Sequence, residues 1–251
     1  MKIQIYGGQG ADRMTAELTK LKQWIAESER IVFFGGAGVS TESGIPDFRS
    51  VDGLYNQQWR YPPETILSDR FFERNPEEYY RFYRAKLVID GVQPNRAHRR
   101  IAELEAEGKL HAVVTQNIDG LHQAAGSKNV LELHGSILRA YCSRCRRPYD
   151  ADLINHGEGV PRCGCGGVIR PDIVLYGEAL DEDVMERAID EIRRADLLIV
   201  GGTSLSVYPA AGLIRYYRGH RLALINRGAT PYDEYADLVI HEKIGEVFAQ
   251  V

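Results

Sequence analysis

Between residues 14 and 27 the apolar positions Leu18, Leu21, Trp24 and Ile25 recur every three or four residues with charged residues between them, which predicts an amphipathic helix. Residues 1–12 carry a brief apolar alternation and a GGQG, and are expected to be a loose lead-in without a role. The uninterrupted apolar run 31–34 then predicts a buried strand. From 51 to 93 the texture changes to aromatic and charged residues with scattered prolines, predicting a small helical insertion whose aromatic stripe packs as its core. Pro94-Asn95 opens a second amphipathic helix through Ala97, Ile101 and Leu104, ending near Gly108. Further strands are predicted at 111–115, 130–133, 173–176, 197–200, 222–225 and 238–240, with helices at 181–194, 209–217 and from Ile244.

At least five of these strands share a feature at their carboxyl ends, where small or polar residues follow. Gly35-Gly36 follows the first, Gln116 to His122 another, and His134-Gly135, Gly177-Glu178, Gly201 to Ser204 and Asn226 the rest. Open α/β sheets bind ligands at that edge, so the pattern predicts an α/β, doubly wound parallel sheet. Gly35, Gly36 and Gly38 lack the Cβ atoms that would keep backbone N–H groups away from a phosphate, and a helix N-terminus downstream would add an anion-favouring field. The fit to the dinucleotide fingerprint is incomplete, because Thr41 stands where the third glycine belongs.

The chain has 251 residues, 44% hydrophobic and 26% charged, with a net charge of −4. That balance is unlike the basic footprint of a nucleic-acid-coating protein. No apolar run approaches the ~20 residues that span a bilayer, and a cytoplasmic location is expected. All four cysteines fall close together as Cys142-x-x-Cys145 and Cys163-x-Cys165. Four thiolates on two tight turns match the tetrahedral preference of Zn²⁺, and with every position filled by sulfur such a zinc is structural. Free buried cysteines or a redox dithiol are the alternatives for the same residues.

The segments GAGVSTESGIPDFR (36–49), TQNIDGLHQAAG (115–126), ELHG (132–135), the cysteine quartet, IRPDIVLYGE (169–178), GTSLSVYPAA (202–211) and IN (225–226) occur in one order and together resemble the sirtuins. The likeness covers about residues 15–250. It implies a Rossmann-like NAD-binding domain (1–50, 94–140 and 168–251) with a smaller domain made of a helical module (51–93) and a zinc ribbon (141–167). The implied activity is NAD-dependent protein-lysine deacetylation, releasing nicotinamide and O-acetyl-ADP-ribose. By similarity, His134 is the general base on the ribose hydroxyls and Asn117 belongs to the catalytic set; an imidazole suits proton abstraction near neutral pH. Gly36, Ala37, Gly38, Thr41 and Asp47 would hold the cofactor, with Phe48 shielding the reactive C1′ face and Arg49 meeting the phosphates. Gln116, Ile118 and Asp119 would line the ribose and nicotinamide pocket. Gly202, Thr203, Ser204 and Asn226 would hold the adenosine half, and Ile244 would close over the adenine. The backbone at Val174, Tyr176, Gly177 and Val207 would take an acyl-lysine peptide as an added strand. A monomer is expected, without nucleic-acid or membrane partners.

Outside the resemblance, His134 reads as a hydrogen-bonded core histidine, Asp119 as a helix N-cap and Arg49 as a surface ion-pair residue. His122 reads as structural, and His98, His111, His156, His220 and His241 carry no partner pattern. Sirtuins that prefer acidic acyl groups resemble one another in a Tyr-x-x-Arg pair, where this chain has Tyr83 and Lys86. A lysine lacks the planar fork that grips a carboxylate, so acetyl or longer apolar acyl groups are expected and desuccinylation is expected to be weak. Competing readings are deacylation of other acyl-lysines, mono-ADP-ribosyl transfer, and a non-enzymatic NAD-sensing module.

Overall fold

The computed structural model describes residues 8–251. The first helix, α1 (Gly8–Glu27), begins earlier than the periodicity predicts, so the lead-in expected over residues 1–12 is helical from Gly8; residues 1–7 lie outside the described residues. No described helix is long and apolar enough to cross a membrane. β1 (Ile31–Gly35) is buried throughout. Its two-residue alternation sends Ile31 and Phe33 into one core and Val32 and Phe34 into another, which is why both faces need apolar residues.

Residues 51–93 form short helices, α2 (Pro63–Ile66), α3 (Asp69–Arg74) and α4 (Pro76–Lys86). Pro63 and Pro76 stand in the first turns of α2 and α4, where a missing N–H costs nothing. Tyr79, Tyr80, Phe82 and Tyr83 of α4 are buried, each contributing about 2–3 kcal/mol of apolar transfer. α5 (Arg96–Ala106) starts on a reciprocal cap: Asn95 Oδ1 accepts from the Ala97 and His98 N–H groups, and the Asn95 N–H donates to His98 Nδ1.

β2 (Leu110–Thr115), α6 (Leu121–Ala124) and β3 (Val130–Glu132) follow where polar and apolar patterning places them. β4 (Gly135–Cys142), β5 (Pro148–Tyr149), α7 (Asp152–Asn155) and β6 (Ile169–Ile173) build the cysteine module. α8 (Glu182–Arg194), capped by Asp181, leads to β7 (Leu197–Gly201), β8 (Leu222–Ile225), β9 (Leu238–Ile240) and α9 (Ile244–Phe248). Residues 210–216, expected as an α-helix, wind as a tighter 3₁₀ helix.

Among the described residues β3-β2-β1-β7-β8-β9 form one sheet in that order, and every pair is parallel. Connections from β1 run one way and those from β7 the other. The loops after these two neighbours therefore diverge, leaving a crevice at the carboxyl edge. The α/β, doubly wound parallel architecture is as expected.

One expected strand is not in this sheet. The apolar run predicts a strand of the parallel sheet over 173–176, yet β6 ends at Ile173 and pairs antiparallel with β4 in a separate sheet, β5-β4-β6. The apolar side chains beyond it do not continue the ladder because their backbone finds other partners. The Val174 N–H donates to the His134 carbonyl, that of Leu175 to the Glu178 carboxylate, and that of Tyr176 to the Leu67 carbonyl. A third core joins this small sheet to the helices: Tyr79, Tyr80, Phe82 and Tyr83 pack with Ala140, Cys142, Ile169 and Ile173.

Candidate active site

A cavity of about 1130 Å³ opens along the carboxyl edge of the parallel sheet, between it and the small module. Its floor is where the loops after β1 and β7 meet. The Gly38 N–H donates to the Gly202 carbonyl at 2.8 Å, and a Cβ on Gly38 would lie 2.8 Å from that oxygen. Gly202 has φ +59, and its Cβ would meet Val39 N at 2.4 Å. The glycines are thus demanded first by two loops packing against each other, and only then by any ligand. No α-helix N-terminus follows the loop as expected; two single 3₁₀ turns, 37–39 and 41–43, stand there. The Ala37, Thr203 and Ser204 N–H groups meet no acceptor among the described residues. Such a donor set suits phosphate oxygens, and the Thr41 hydroxyl, bonded to the Gly38 carbonyl at 3.0 Å, lies beside it.

Ser40, fully buried, is the centre of a polar network. Asn117 Nδ2 donates to Ser40 Oγ at 3.1 Å, and Ser40 Oγ donates to Asp119 Oδ2 at 2.6 Å. His98 Nδ1 accepts from Asn95, so its Nε2 carries the proton and donates to Ser40 Oγ at 3.5 Å. With donors on both sides, the single hydroxyl hydrogen is directed to Asp119. The other Asp119 oxygen accepts from the Leu121 N–H at the start of α6, although the N-cap residue is Gly120 and not Asp119 as the residue alone suggests; Asp119 itself lines the cavity. Burial raises the Asp119 pKa, with its two hydrogen bonds opposing. Neither Ser40 nor His98 was singled out from the sequence. The Asn-x-x-His spacing of a capping box was the readable signal for His98, whereas the hydroxyl of Ser40 matters only through contacts distant in sequence.

His134 is half-buried and lines the cavity. Its Nδ1 lies 3.0 Å from the Gln116 carbonyl oxygen, which can only accept. Nδ1 therefore holds the proton and Nε2 keeps its lone pair. Burial lowers the His134 pKa below 6.5, while the bond to Gln116 works the other way. Gln116 Nε2 donates to Thr203 Oγ1 at 3.2 Å, tying the polar burst after β2 to the loop after β7.

Asp47, Phe48 and Arg49 also line the cavity. Asp47 Oδ1 accepts from the Arg49 and Ser50 N–H groups, and Arg49 lies 5.2 Å above the Tyr55 ring. Gly36, Ala37, Ile118, Ser204, Asn226 and Ile244 are on the cavity wall, as are Val174, Tyr176, Gly177, Val207 and Lys86. Asn226 Nδ2 is bonded to the Gly228 carbonyl, and Ser204 Oγ to Ser206 Oγ. Of the backbone expected to take a peptide, both polar groups of Tyr176 are already committed, to Leu67 and Asp69.

The exception among the expected site residues is Tyr83, which does not line the cavity. Its side chain is buried in the small-module core and its hydroxyl donates to Asn155 Oδ1 at 2.7 Å. Lys86 Nζ donates to Gln57 Oε1 at 2.6 Å and lies 5.7 Å from the Trp59 ring. The two do not form a joint carboxylate grip, because one faces the core and the other the Gln57 amide.

The four cysteine sulfurs lie within 4.8 Å of one another, with Cys142 to Cys165 at 3.5 Å and Cys145 to Cys163 at 3.7 Å. A tetrahedron of thiolates about 2.3 Å from Zn²⁺ has edges of about 3.8 Å, so the residues present fit a structural zinc. The Tyr149 hydroxyl donates to Cys163 Sγ at 3.0 Å, and the Arg144 guanidinium to the Cys165 carbonyl at 2.9 Å, bracing both turns.

A model of the Sir2 family matches residues 36–209. The chain is 58% identical over 242 residues to an NAD-dependent protein deacetylase of Clostridium perfringens, covering 95% of this chain and 99% of the other. It is 52% identical over 240 residues to an NAD-dependent protein deacetylase of Cutibacterium acnes, covering 95% and 98%. Among solved structures, a Sir2 complex with a p53 peptide and NAD+ matches with a TM-score of 0.81 at 40% identity, over 93% of this chain and 96% of that one. A Sir2 variant with a deacetylated p53 peptide and 3′-O-acetyl ADP ribose matches with a TM-score of 0.85 at 41% identity, over 93% and 96%.

Proposed function

Because the chain belongs to the Sir2 family, we propose that the cavity between its parallel sheet and small module cleaves NAD and deacetylates lysine side chains of protein substrates. The observation that carries this reading is the convergence of His134, Asn117 and Asp119, held by Gln116 and Ser40, on the same cavity as the glycine loops. Bound NAD supplies an electrophilic C1′ and nicotinamide as the leaving group. The chain's part is to hold and to move protons. The open N–H groups of Ala37, Thr203 and Ser204, with Arg49, meet the diphosphate. Asp119, fixed by Ser40, accepts from the carboxamide, and Asn117 is oriented by the same hydroxyl. His134 Nε2, the free lone pair of a ring fixed through Nδ1, takes the proton from a ribose hydroxyl.

The peptide lies as an extended segment between 174–177 and 205–207, and its carbonyls and N–H groups meet those the chain has not used itself. Zinc on the four cysteines is structural, since no ligand position is open. The small domain comprises 51–93 and 141–167 together with β4 and β6, which share its core. The enzyme acts as a cytoplasmic monomer. Mass spectrometry of the products from NAD and an acetyl-lysine peptide tests the reading: O-acetyl-ADP-ribose is expected from the natural chain, and its undiminished production by His134→Ala would remove His134 from the chemistry.

A further inference from the structure

We propose that the Tyr176 hydroxyl is a positioning group for the cofactor-binding loop, which it latches through Tyr55 to the segment that receives the peptide. The inference rests on the deacetylase reading above. Residues 47–56 are one folded unit. The Leu54 N–H donates to the Asp47 carbonyl at 2.7 Å, the Tyr55 N–H to the Phe48 carbonyl at 2.9 Å, and Asn56 Nδ2 to the Ser50 carbonyl at 2.6 Å. Gly53 is packed so tightly inside that a Cβ would lie 2.8 Å from Arg49 N and Phe48 C. Phe48 stands edge-on to the Tyr55 ring with centroids 5.6 Å apart, and Arg49 lies over the same ring. The residues expected to cover C1′ and meet the phosphates therefore move with Tyr55.

Tyr176, by contrast, is a fixed post. Its N–H donates to the Leu67 carbonyl at 2.8 Å and its carbonyl accepts from the Asp69 N–H at 3.0 Å. The turn around it is clamped by Arg170, only 8% exposed, whose guanidinium forks onto both Glu178 carboxylate oxygens and onto the Ile173 carbonyl. Glu178 in turn accepts from the Leu175 N–H. Among the described residues the polar contact between the post and the loop is Tyr55 Oη to Tyr176 Oη at 2.5 Å. Tyr176 is 39% exposed on the cavity wall, where a bound peptide would shield this bond from water. Shielding strengthens a hydrogen bond, so peptide occupancy holds the loop closed over NAD and water stays out of the reaction.

Tyr176→Phe keeps the ring and the backbone contacts and removes only the hydroxyl. The loss of one such bond corresponds to a change of about three- to tenfold. In NAD-free protein, hydrogen exchange at the Leu54 and Tyr55 amides should accelerate by about that factor in Tyr176→Phe. In turnover, KM for NAD should rise more than kcat falls, and NAD hydrolysis without peptide should increase. Tyr55→Phe should match each change, and the double variant should be no worse than either single one. Unaltered exchange and KM in Tyr176→Phe, or additive effects in the double variant, would overturn the latch. A natural chain that consumes no NAD would instead overturn the deacetylase reading, and the exchange measurement on NAD-free protein would still decide the latch.

Discussion

Ser40 shows how much a single buried hydroxyl controls, since it orients Asn117 and directs its own proton to Asp119. Replacing it by alanine leaves Asn117, His98 and Asp119 each short of a partner, at about 1–3 kcal/mol for a buried group. Ser40→Ala should therefore lower kcat/KM about tenfold or more while the circular dichroism spectrum is retained. His134→Ala should cost about 10²–10⁴-fold in kcat/KM. Since burial lowers the His134 pKa, the neutral base persists through pH 7, and activity should fall only on the acid side of 6.5; a pH–rate profile of kcat/KM checks this. Stability has its own acid limb. His98 and His122 are held neutral by burial, with pKa values pushed down to about 4 and about 3 from 6.5. The unfolded chain binds the extra protons, so stability is complete above 6.5 and falls as pH drops toward these folded values, each ring contributing a slope of up to about 1.4 kcal/mol per pH unit. Denaturant titrations at pH 7 and pH 5 should show that loss. Tyr83 belongs to this scale too. With its hydroxyl on Asn155 and Lys86 on Gln57, the pair does not together grip an acyl carboxylate. Acetyl-lysine peptides should be turned over well ahead of succinyl-lysine peptides in a side-by-side assay.

At the scale of elements, the loops after β1 and β7 act as one part. Gly202→Ala places a side chain at positive φ and against Val39 N, so the loops must separate. NAD affinity should drop at least tenfold by calorimetry, with the parallel sheet intact. The small module depends on its metal in a comparable way, because Cys142 and Cys163 sit in the same core as Tyr79 to Tyr83, and the Tyr80 hydroxyl donates to the Ile169 carbonyl. Chelation should lower the melting temperature and speed amide exchange in α4 and β6 ahead of the parallel strands. The six parallel strands were legible because strands buried on both faces are written in continuous apolar residues, as in 31–34 and 197–200. β4 was not legible. Its burial is irregular, a break in register falls between Ser136 and Ala140, and exposed Arg139 is held by Glu132 and Asp172 from other strands. The 173–176 run misleads for the opposite reason, being apolar through packing while its backbone is spent on turns.

For the whole molecule, the sheet's reversal between β1 and β7 sets where the cavity lies, and the small module supplies its other wall. Position along the strand ends could be read from polar residues following apolar runs, which is why nearly every expected site residue lines one cavity. What local patterning cannot express is the contact between distant segments, such as Ser40 with Asp119 or Tyr55 with Tyr176. On the proposed reading a joint dependence on two substrates belongs to this scale, because NAD and peptide would occupy the two sides of one cleft before His134 could take a proton. Nicotinamide release from NAD, measured with and without an acetyl-lysine peptide, tests that claim most directly. Release that requires the peptide and matches deacetylated product one for one is the predicted result, whereas equal release without peptide would contradict it.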